Sequence, residues 1–186
     1  SRNWYRRIGL GRTSALVVPS LRLERIALED WYQPKGRVCR IPNGLPVADY
    51  ARKAKKDALP GLIKRDGEQW LGTLAGLRTV KNLPRLVRAF SGLPAHWQLV
   101  ILGTGPEKGT ILEEAQRLGV EHRVHLPGFV EKPSAVIGLF DLFALSSDSE
   151  QFPLSVVEAM AAGLAVASPA VGDVAAIVSE ENRQFI

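Results

Sequence analysis

From about Trp70 onward, short apolar runs alternate with amphipathic segments. Trp70–Leu71–Gly72–Thr73–Leu74 reads as a strand, and Leu83, Leu86, Val87 and Phe90 then recur at helical spacing between Asn82 and Gly92. A second strand over 98–102 ends at Gly103–Thr104–Gly105–Pro106, and the following helix puts Ile111, Leu112, Ala115 and Leu118 on one face before closing at Gly119. Val124–His125–Leu126 predicts a short third strand stopped by Pro127–Gly128. Pro133–Ser134 opens a short helix bearing Val136, Ile137 and Phe140. A strand over 142–145, a helix over 154–162 ended by Gly163, a strand over 164–167 and a short helix over 174–178 complete the pattern. Strands apolar on both faces and separated by helices predict a parallel sheet with helices on each side, a doubly wound α/β fold.

The first 45 or so residues read differently. They carry a strand signal over 15–18, a helix from Pro19–Ser20 with Leu23, Ile26, Ala27 and Trp31, a strand over 36–41 and a turn at Pro42–Asn43–Gly44. Residues 50–66 are polar, basic and weakly patterned, as in a linker or surface excursion.

Composition narrows the classes. The chain has 186 residues, 46% hydrophobic and 23% charged, which suits a packed core and excludes a disordered or fibrous chain. Its apolar runs fall far short of the ~18–20 residues that span a bilayer, and Trp4–Tyr5–Arg6–Arg7 interrupts any leader-like run near the start. Cys39 is alone, and with His96, His122 and His125 it makes no closed zinc set. A net charge of +5 suits an anionic ligand, a nucleic acid or an acidic membrane without choosing among them. The densest basic cluster, Arg52–Lys53–Ala54–Lys55–Lys56, has no interleaved aromatic residue; it reads as a solvated face or connector, with phosphate or lipid contact as the other reading.

Ligands of doubly wound sheets bind at the carboxyl ends of the strands, which directs attention to the loops there. Gly103–Thr104–Gly105–Pro106–Glu107–Lys108–Gly109 is a poor dinucleotide fingerprint: its third glycine is displaced, Pro106 removes a donor, and no acid ends the next strand. A structural turn admitting close approach of another group fits it better. The loop Ser146–Ser147–Asp148–Ser149–Glu150–Gln151–Phe152–Pro153 joins a buried strand to a helix, where free N–H groups and the helix dipole suit a phosphate or diphosphate. Glu150 lies in the loop and Glu158 one turn or so into the helix; each carboxylate can accept two hydrogen bonds from a vicinal diol. Acids near a helix start are also stabilising without a ligand, and Asp148 and the serines are also ordinary caps.

The neighbouring residues sharpen this. Glu150-x7-Glu158, within Leu145 through Gly163, closely resembles the E-x7-E signature of glycosyltransferase family 4, retaining enzymes of the GT-B type that use nucleotide-sugar donors. Val17–Val18–Pro19–Ser20 and Ile41–Pro42–Asn43–Gly44 resemble the passage between the family's two domains. Gly72–Thr73–Leu74 through Lys81–Asn82, Gly103–Thr104–Gly105–Pro106 and Pro127–Gly128–Phe129 resemble successive loops of its Rossmann-like donor domain. The resemblance implies residues 1–44 as the end of the acceptor domain with the interdomain connection, and 45–186 as the C-terminal donor domain, cut before the crossover helix.

It further implies that Glu158 binds the ribose hydroxyls, and that Glu150 faces the donor sugar with Gln151, Phe152, Pro153 and Leu154 around sugar and diphosphate. Lys81 offsets charge on the departing diphosphate, so Glu150 and Lys81 take the catalytic positions; Gly103, Phe129 and Val130 also line the nucleotide-sugar site, the last two near the base. Bland alternatives are a surface lysine at 81 and core filling at Phe129. The family usually has an arginine five residues before the lysine; here that position is Gly76, with Arg78 nearby. A UDP- or GDP-sugar as substrate, no cofactor, no metal and no nucleic acid are the expectations. The acceptor, a glycan or lipid-linked sugar, belongs to a missing N-terminal domain, so the chain reads as an inactive fragment of a cytoplasmic or peripheral inner-membrane enzyme of polysaccharide or glycolipid biosynthesis. An exposed edge at 15–18 implies a fragment dimer. A non-catalytic nucleotide-sugar-binding protein and another Rossmann-type nucleotide-dependent enzyme are the alternative functions.

Overall fold

In the computed structural model, which describes residues 2–52 and 54–186, the apolar strands become one sheet covered on both faces. Its five strands are β3 (Gln69–Leu74), β4 (Trp97–Leu102), β5 (Val124–Gly128), β6 (Leu142–Ala144) and β7 (Ala165–Ala167), all parallel, in the order β5-β4-β3-β6-β7. Alternate side chains point to opposite faces of a strand, and β4 shows the result. Leu99 and Ile101 join one buried cluster with Leu83, Leu86, Val87 and Phe90 of α4 (Leu83–Ser91) and Ile111 and Ala115 of α5 (Lys108–Arg117). Val100 and Leu102 join the other, with Trp70, Phe143, Val156 and Ala159 of α6 (Leu154–Ala161), and Val174 of α7 (Val174–Ile177). The sheet is therefore the expected doubly wound α/β arrangement.

Gly72 in β3 is a packing requirement. A Cβ built there would stand 2.0–2.2 Å from three atoms of the Phe140 ring, so the ring occupies the space that any other residue would need.

Four local expectations are corrected. β5 does not stop before Pro127–Gly128 but runs through them; it is an edge strand, where proline's missing N–H breaks no ladder on its open side. Leu112 is 38% exposed rather than part of the buried stripe, because α5 contacts the sheet only through a narrower face. Residues 133–140 form two 3₁₀ turns, Pro133–Ala135 and Ile137–Leu139, instead of a helix, yet Val136, Ile137 and Phe140 are buried as expected. The stretch 50–66 is no free linker: Leu59 is buried in the core, and Tyr50, Ala54, Ala58 and Leu62 pack against it. Arg52, Lys55 and Lys56 of the basic cluster are exposed, while Lys53 lies outside the described residues.

The first part of the chain forms α1 (Arg2–Leu10), β1 (Leu16–Val18), α2 (Leu21–Glu29), β2 (Val38–Arg40) and α3 (Val47–Tyr50). β1 and β2 pair in parallel as a separate two-stranded sheet, so one edge of β1 is paired and the other open. Val18, Ala27 and Trp31 make a small core. Ser20 caps α2 through the Leu23 N–H at 3.0 Å, as its sequence position suggested. Among the described residues, no helix is long and apolar enough to cross a membrane.

Candidate functional site

The chain leaves β3, builds outward through β4 and β5, then returns to place β6 on the other side of β3. This reversal opens a crevice at the carboxyl ends of β3 and β6, the place where open α/β sheets receive ligands. A cavity of about 390 Å³ lies at that end. Leu74, Ala75, Gly76 and Arg78 line it from the loop after β3, Gly103 and Thr104 from the loop after β4, Phe129 and Val130 after β5, and Ser155 and Glu158 from α6. A larger groove, about 690 Å³, sits at the amino ends of the strands beside His122 and His125, away from these loops.

The Gly103 loop is built for close approach. Gly103 has φ +147°, and a Cβ there would lie 1.9 Å from the Ala75 carbonyl oxygen. Leu77 N–H donates to the Thr104 carbonyl, and Glu107 N–H to the Leu77 carbonyl, so the loops after β3 and β4 are laced backbone to backbone. Gly76 leaves its open face to a neighbour: a Cβ would meet the Arg78 guanidinium, 3.3 Å from Nε. Arg78 thus lies over the position where the resemblance led one to expect an arginine side chain. Phe129 is 73% exposed at the lip and fills no core.

Beside the cavity stands an ion pair. Lys81 Nζ donates to Glu150 Oε1 at 2.5 Å, and Ser147 Oγ donates to the same oxygen at 2.6 Å; the two charged side chains are 23% and 11% exposed. Both loops that carry the pair are stitched together. Ser146 Oγ donates to the Lys81 carbonyl at 2.8 Å, Asp148 N–H to the Val80 carbonyl at 2.9 Å, and Asn82 Nδ2 and Arg85 donate to the Asp148 carboxylate. The amide hydrogen bond from Asn82, helped by Arg85, holds the Asp148 carboxyl below the usual range.

The other flank of the Glu150 loop meets the first part of the chain. Arg22 donates to Ser149 Oγ at 3.2 Å and to the Glu150 carbonyl at 3.3 Å, while Ser20 Oγ donates to Gln151 Oε1 at 3.2 Å. The buried Asp173 carboxylate accepts the N–H groups of Leu21 and Arg22 at 2.6 and 3.2 Å, at the start of α2, where the dipole favours an anion. Gln151 therefore serves this seam, and Phe152 lines a separate groove with Leu21, Pro42 and Ile177. Pro153 is buried and takes the N-cap position of α6 with no side-chain cap; Leu154 is the first helical residue. That uncapped start places Ser155 in the cavity wall and leaves first-turn N–H groups available to an anion.

Glu158 is half-buried, and desolvation raises its carboxyl above the usual range. Its Oε1 accepts the hydroxyl of Tyr50 at 2.8 Å. Arg78, Gly103, Phe129, Val130 and Glu158 of the expected set thus share one cavity, whereas Lys81 and Glu150 pair with each other and are not in its lining. Tyr50, Ser147 and Ser155 were missed. Ser147 stood in a stretch read as a phosphate loop through its backbone, its serines taken individually only as caps, Ser155 lay between the two glutamates, and nothing in the sequence near Tyr50 signalled a partner 108 residues away. Among the described residues, no group of three or more His, Cys, Asp or Glu is placed to hold a metal ion.

The architecture is that of the Rossmann-like half of GT-B glycosyltransferases. Anabaena HepE, solved in complex with UDP and glucose, superposes over 97% of this chain and 52% of its own with a TM-score of 0.82 at 21% identity. The profile of glycosyl transferases group 1 matches residues 55–186, and the chain belongs to that family. Among relatives, the N-acetyl-alpha-D-glucosaminyl L-malate synthase of Bacillus anthracis is 28% identical over 65% of this chain and 32% of its own length. The N-acetylgalactosamine-N,N'-diacetylbacillosaminyl-diphospho-undecaprenol 4-alpha-N-acetylgalactosaminyltransferase of Campylobacter jejuni is 35% identical over 67% and 32%. The chain thus spans about a third of these relatives.

Proposed function

We propose that this chain is the donor-binding part of a family 4 retaining glycosyltransferase, with 45–186 as the donor domain and 1–44 as the end of the acceptor domain and the connection to it. The observation that carries the reading is the cavity at the switch point, with Glu158 and Arg78 in its wall and the Lys81–Glu150 pair alongside. The HepE complex, with UDP and glucose bound to the same fold, supports a UDP-sugar or related donor.

In this reading Glu158 accepts the ribose hydroxyls, Phe129 and Val130 flank the base, and the start of α6 with Arg78 and Lys81 receives the diphosphate. Glu150 meets the sugar. The bond from the sugar's C1 to the diphosphate breaks as an acceptor hydroxyl approaches the same face, its oxygen bonds to C1, and its proton passes to the departing diphosphate oxygen. Lys81 and Arg78 stabilise the negative charge that builds on the leaving oxygen, which is where fixed cations accelerate such a step most. Arg78, seated over Gly76, takes the part of the arginine absent from that position. The chemistry is metal-independent. The acceptor is a glycan or lipid-linked sugar, as the name of the C. jejuni relative indicates for that enzyme, in polysaccharide or glycolipid synthesis at the cytoplasmic side of a membrane.

Calorimetric titration with UDP, GDP and NAD, in EDTA, tests the reading. One nucleoside diphosphate binds, NAD does not, and Glu158→Ala abolishes the binding. Absence of diphosphate binding, or binding indifferent to Glu158, refutes the site.

A further inference from the structure

The side chain that holds Glu158 comes from outside the loops that build the cavity. Tyr50 ends α3, directly after the 41–44 passage that joins the small sheet to the large one. Its ring packs against the core cluster on the α6 side of the sheet, which fixes where the hydroxyl points. That hydroxyl donates a hydrogen bond to Glu158 Oε1 at 2.8 Å. A carboxylate accepts such a bond more strongly than a neutral acid does, so the bond favours the charged form of Glu158 and partly offsets the burial that raises its carboxyl. The phenol is itself pushed up to about 12 by burial and by the glutamate, and stays a donor throughout the physiological range. Among the described residues, Glu158 Oε2 has no hydrogen-bond partner, which leaves one oxygen of an oriented carboxylate for a ligand.

We infer that Tyr50 is a positioning residue of the donor site: its hydroxyl fixes the orientation of the Glu158 carboxyl as an acceptor for the ribose hydroxyls, so that discrimination between ribo- and deoxyribonucleotide depends on it. The inference rests on the donor reading above. A glutamate freed of this bond samples several rotamers and must be ordered by each ligand, which lowers the return on a ribose contact. The position of Tyr50 also means that the connector between the two sheets supplies part of the nucleotide site. A purely structural tie between α3 and α6 makes a different prediction, because its loss weakens all ligands alike.

The test measures affinities of UDP, GDP and their 2′-deoxy counterparts for the wild-type chain, Tyr50→Phe and Glu158→Gln, with circular dichroism to verify folding. The wild type prefers the ribonucleotide by about tenfold or more, the scale of a hydrogen bond to a charged group. Tyr50→Phe reduces that preference to about threefold or less and leaves 2′-deoxynucleotide affinity within about twofold, close to the behaviour of Glu158→Gln. Carbon-13 titration of the Glu158 carboxyl in Tyr50→Phe moves its midpoint upward, since the bond that favours ionisation is gone. Tyr50→Met repeats the measurement should the phenylalanine variant misfold. An unchanged ribose preference in a folded variant, or an equal loss for both sugars, overturns the role of Tyr50 while leaving the donor site standing. A wild type that binds neither UDP nor GDP overturns the donor reading and this inference with it.

Discussion

The Lys81–Glu150 pair makes opposite predictions for its two members. At 2.5 Å and an effective dielectric near 20, the Coulomb attraction is about 7 kcal/mol before desolvation. Side-chain exposures of 23% and 11% place the pair between exposed bridges, worth about 0.2–1 kcal/mol, and buried ones, whose breakage costs about 3–5 kcal/mol. A net coupling of about 2 kcal/mol is expected from a double-mutant cycle of Lys81→Met and Glu150→Gln read by urea unfolding. Ligand binding separates the partners. Lys81→Met removes the cation offered to the diphosphate and weakens UDP by about tenfold or more, as befits a lost charge-assisted bond. Glu150→Gln frees Lys81 from its competitor and removes a negative charge beside the phosphates, so UDP binds as well or a few-fold more tightly, while a UDP-sugar loses its sugar contact. If calorimetry shows Glu150→Gln weakening UDP as much as Lys81→Met does, the assignment of phosphate to one and sugar to the other is wrong. A coupling below about 0.5 kcal/mol removes the structural half of the argument.

Gly72→Ala forces a methyl group within 2.0–2.2 Å of the buried Phe140 ring and costs at least the upper end of the usual overpacking penalty, about 3 kcal/mol, visible as a lowered urea midpoint. Phe129→Ala, at a side chain 73% exposed, leaves stability unchanged but lowers nucleotide affinity by about 1 kcal/mol in calorimetry, the lower end of aromatic stacking on a base. Glu114 is held down to about 2 by hydrogen bonds from Arg117 and Arg88, so it ties α5 to α4. A depressed carboxyl contributes stability that is present above its unfolded value of 4.5 and is lost as pH falls towards 2. The stability gap between the wild type and Glu114→Gln therefore closes over that window, in denaturation curves taken from pH 6 down to pH 2.

The sheet was legible because its central strands are apolar in both registers. Leu99 and Ile101 serve one face and Val100 and Leu102 the other, a pattern that a one-sided sheet does not produce. Errors fell where local signals meet unusual tertiary positions. Pro127 stops a central strand but not an edge one, and no periodicity tells which strand is at the edge. Among the described residues of 50–66, Leu59 alone is fully buried and a few partly buried side chains sit against the core, too sparse a set for any period. The helix Arg2–Leu10 was not expected; Arg6–Arg7 interrupts its apolar positions, it buries no residue completely, and Trp4, Tyr5 and Ile8 are exposed.

The site divides in the same way. Lys81, Gly103 and Phe129 sit in connections after strands, and Glu158 in the helix that follows the loop after β6, so their place at the carboxyl ends follows from strand order and the sequence could point to them before any coordinates. What holds them is non-local. The segment 146–151 is gripped by Asn82 and Arg85 from the start of α4, by Lys81 from the loop after β3, and by Ser20 and Arg22 from α2. Two separate stretches of chain, 81–85 and 20–22, thus fix the segment that carries one acid, Glu150, and a third, through Tyr50, fixes the other, Glu158. Their side chains spend binding groups on one another rather than on solvent, so the carboxylates stand oriented before any ligand arrives. The grip from α2 has a further consequence: any displacement of the small sheet against the large one pulls on the Glu150 carbonyl through Arg22 and on Gln151 through Ser20. Relative movement of the two sheets and the geometry of the proposed sugar contact are therefore mechanically one variable.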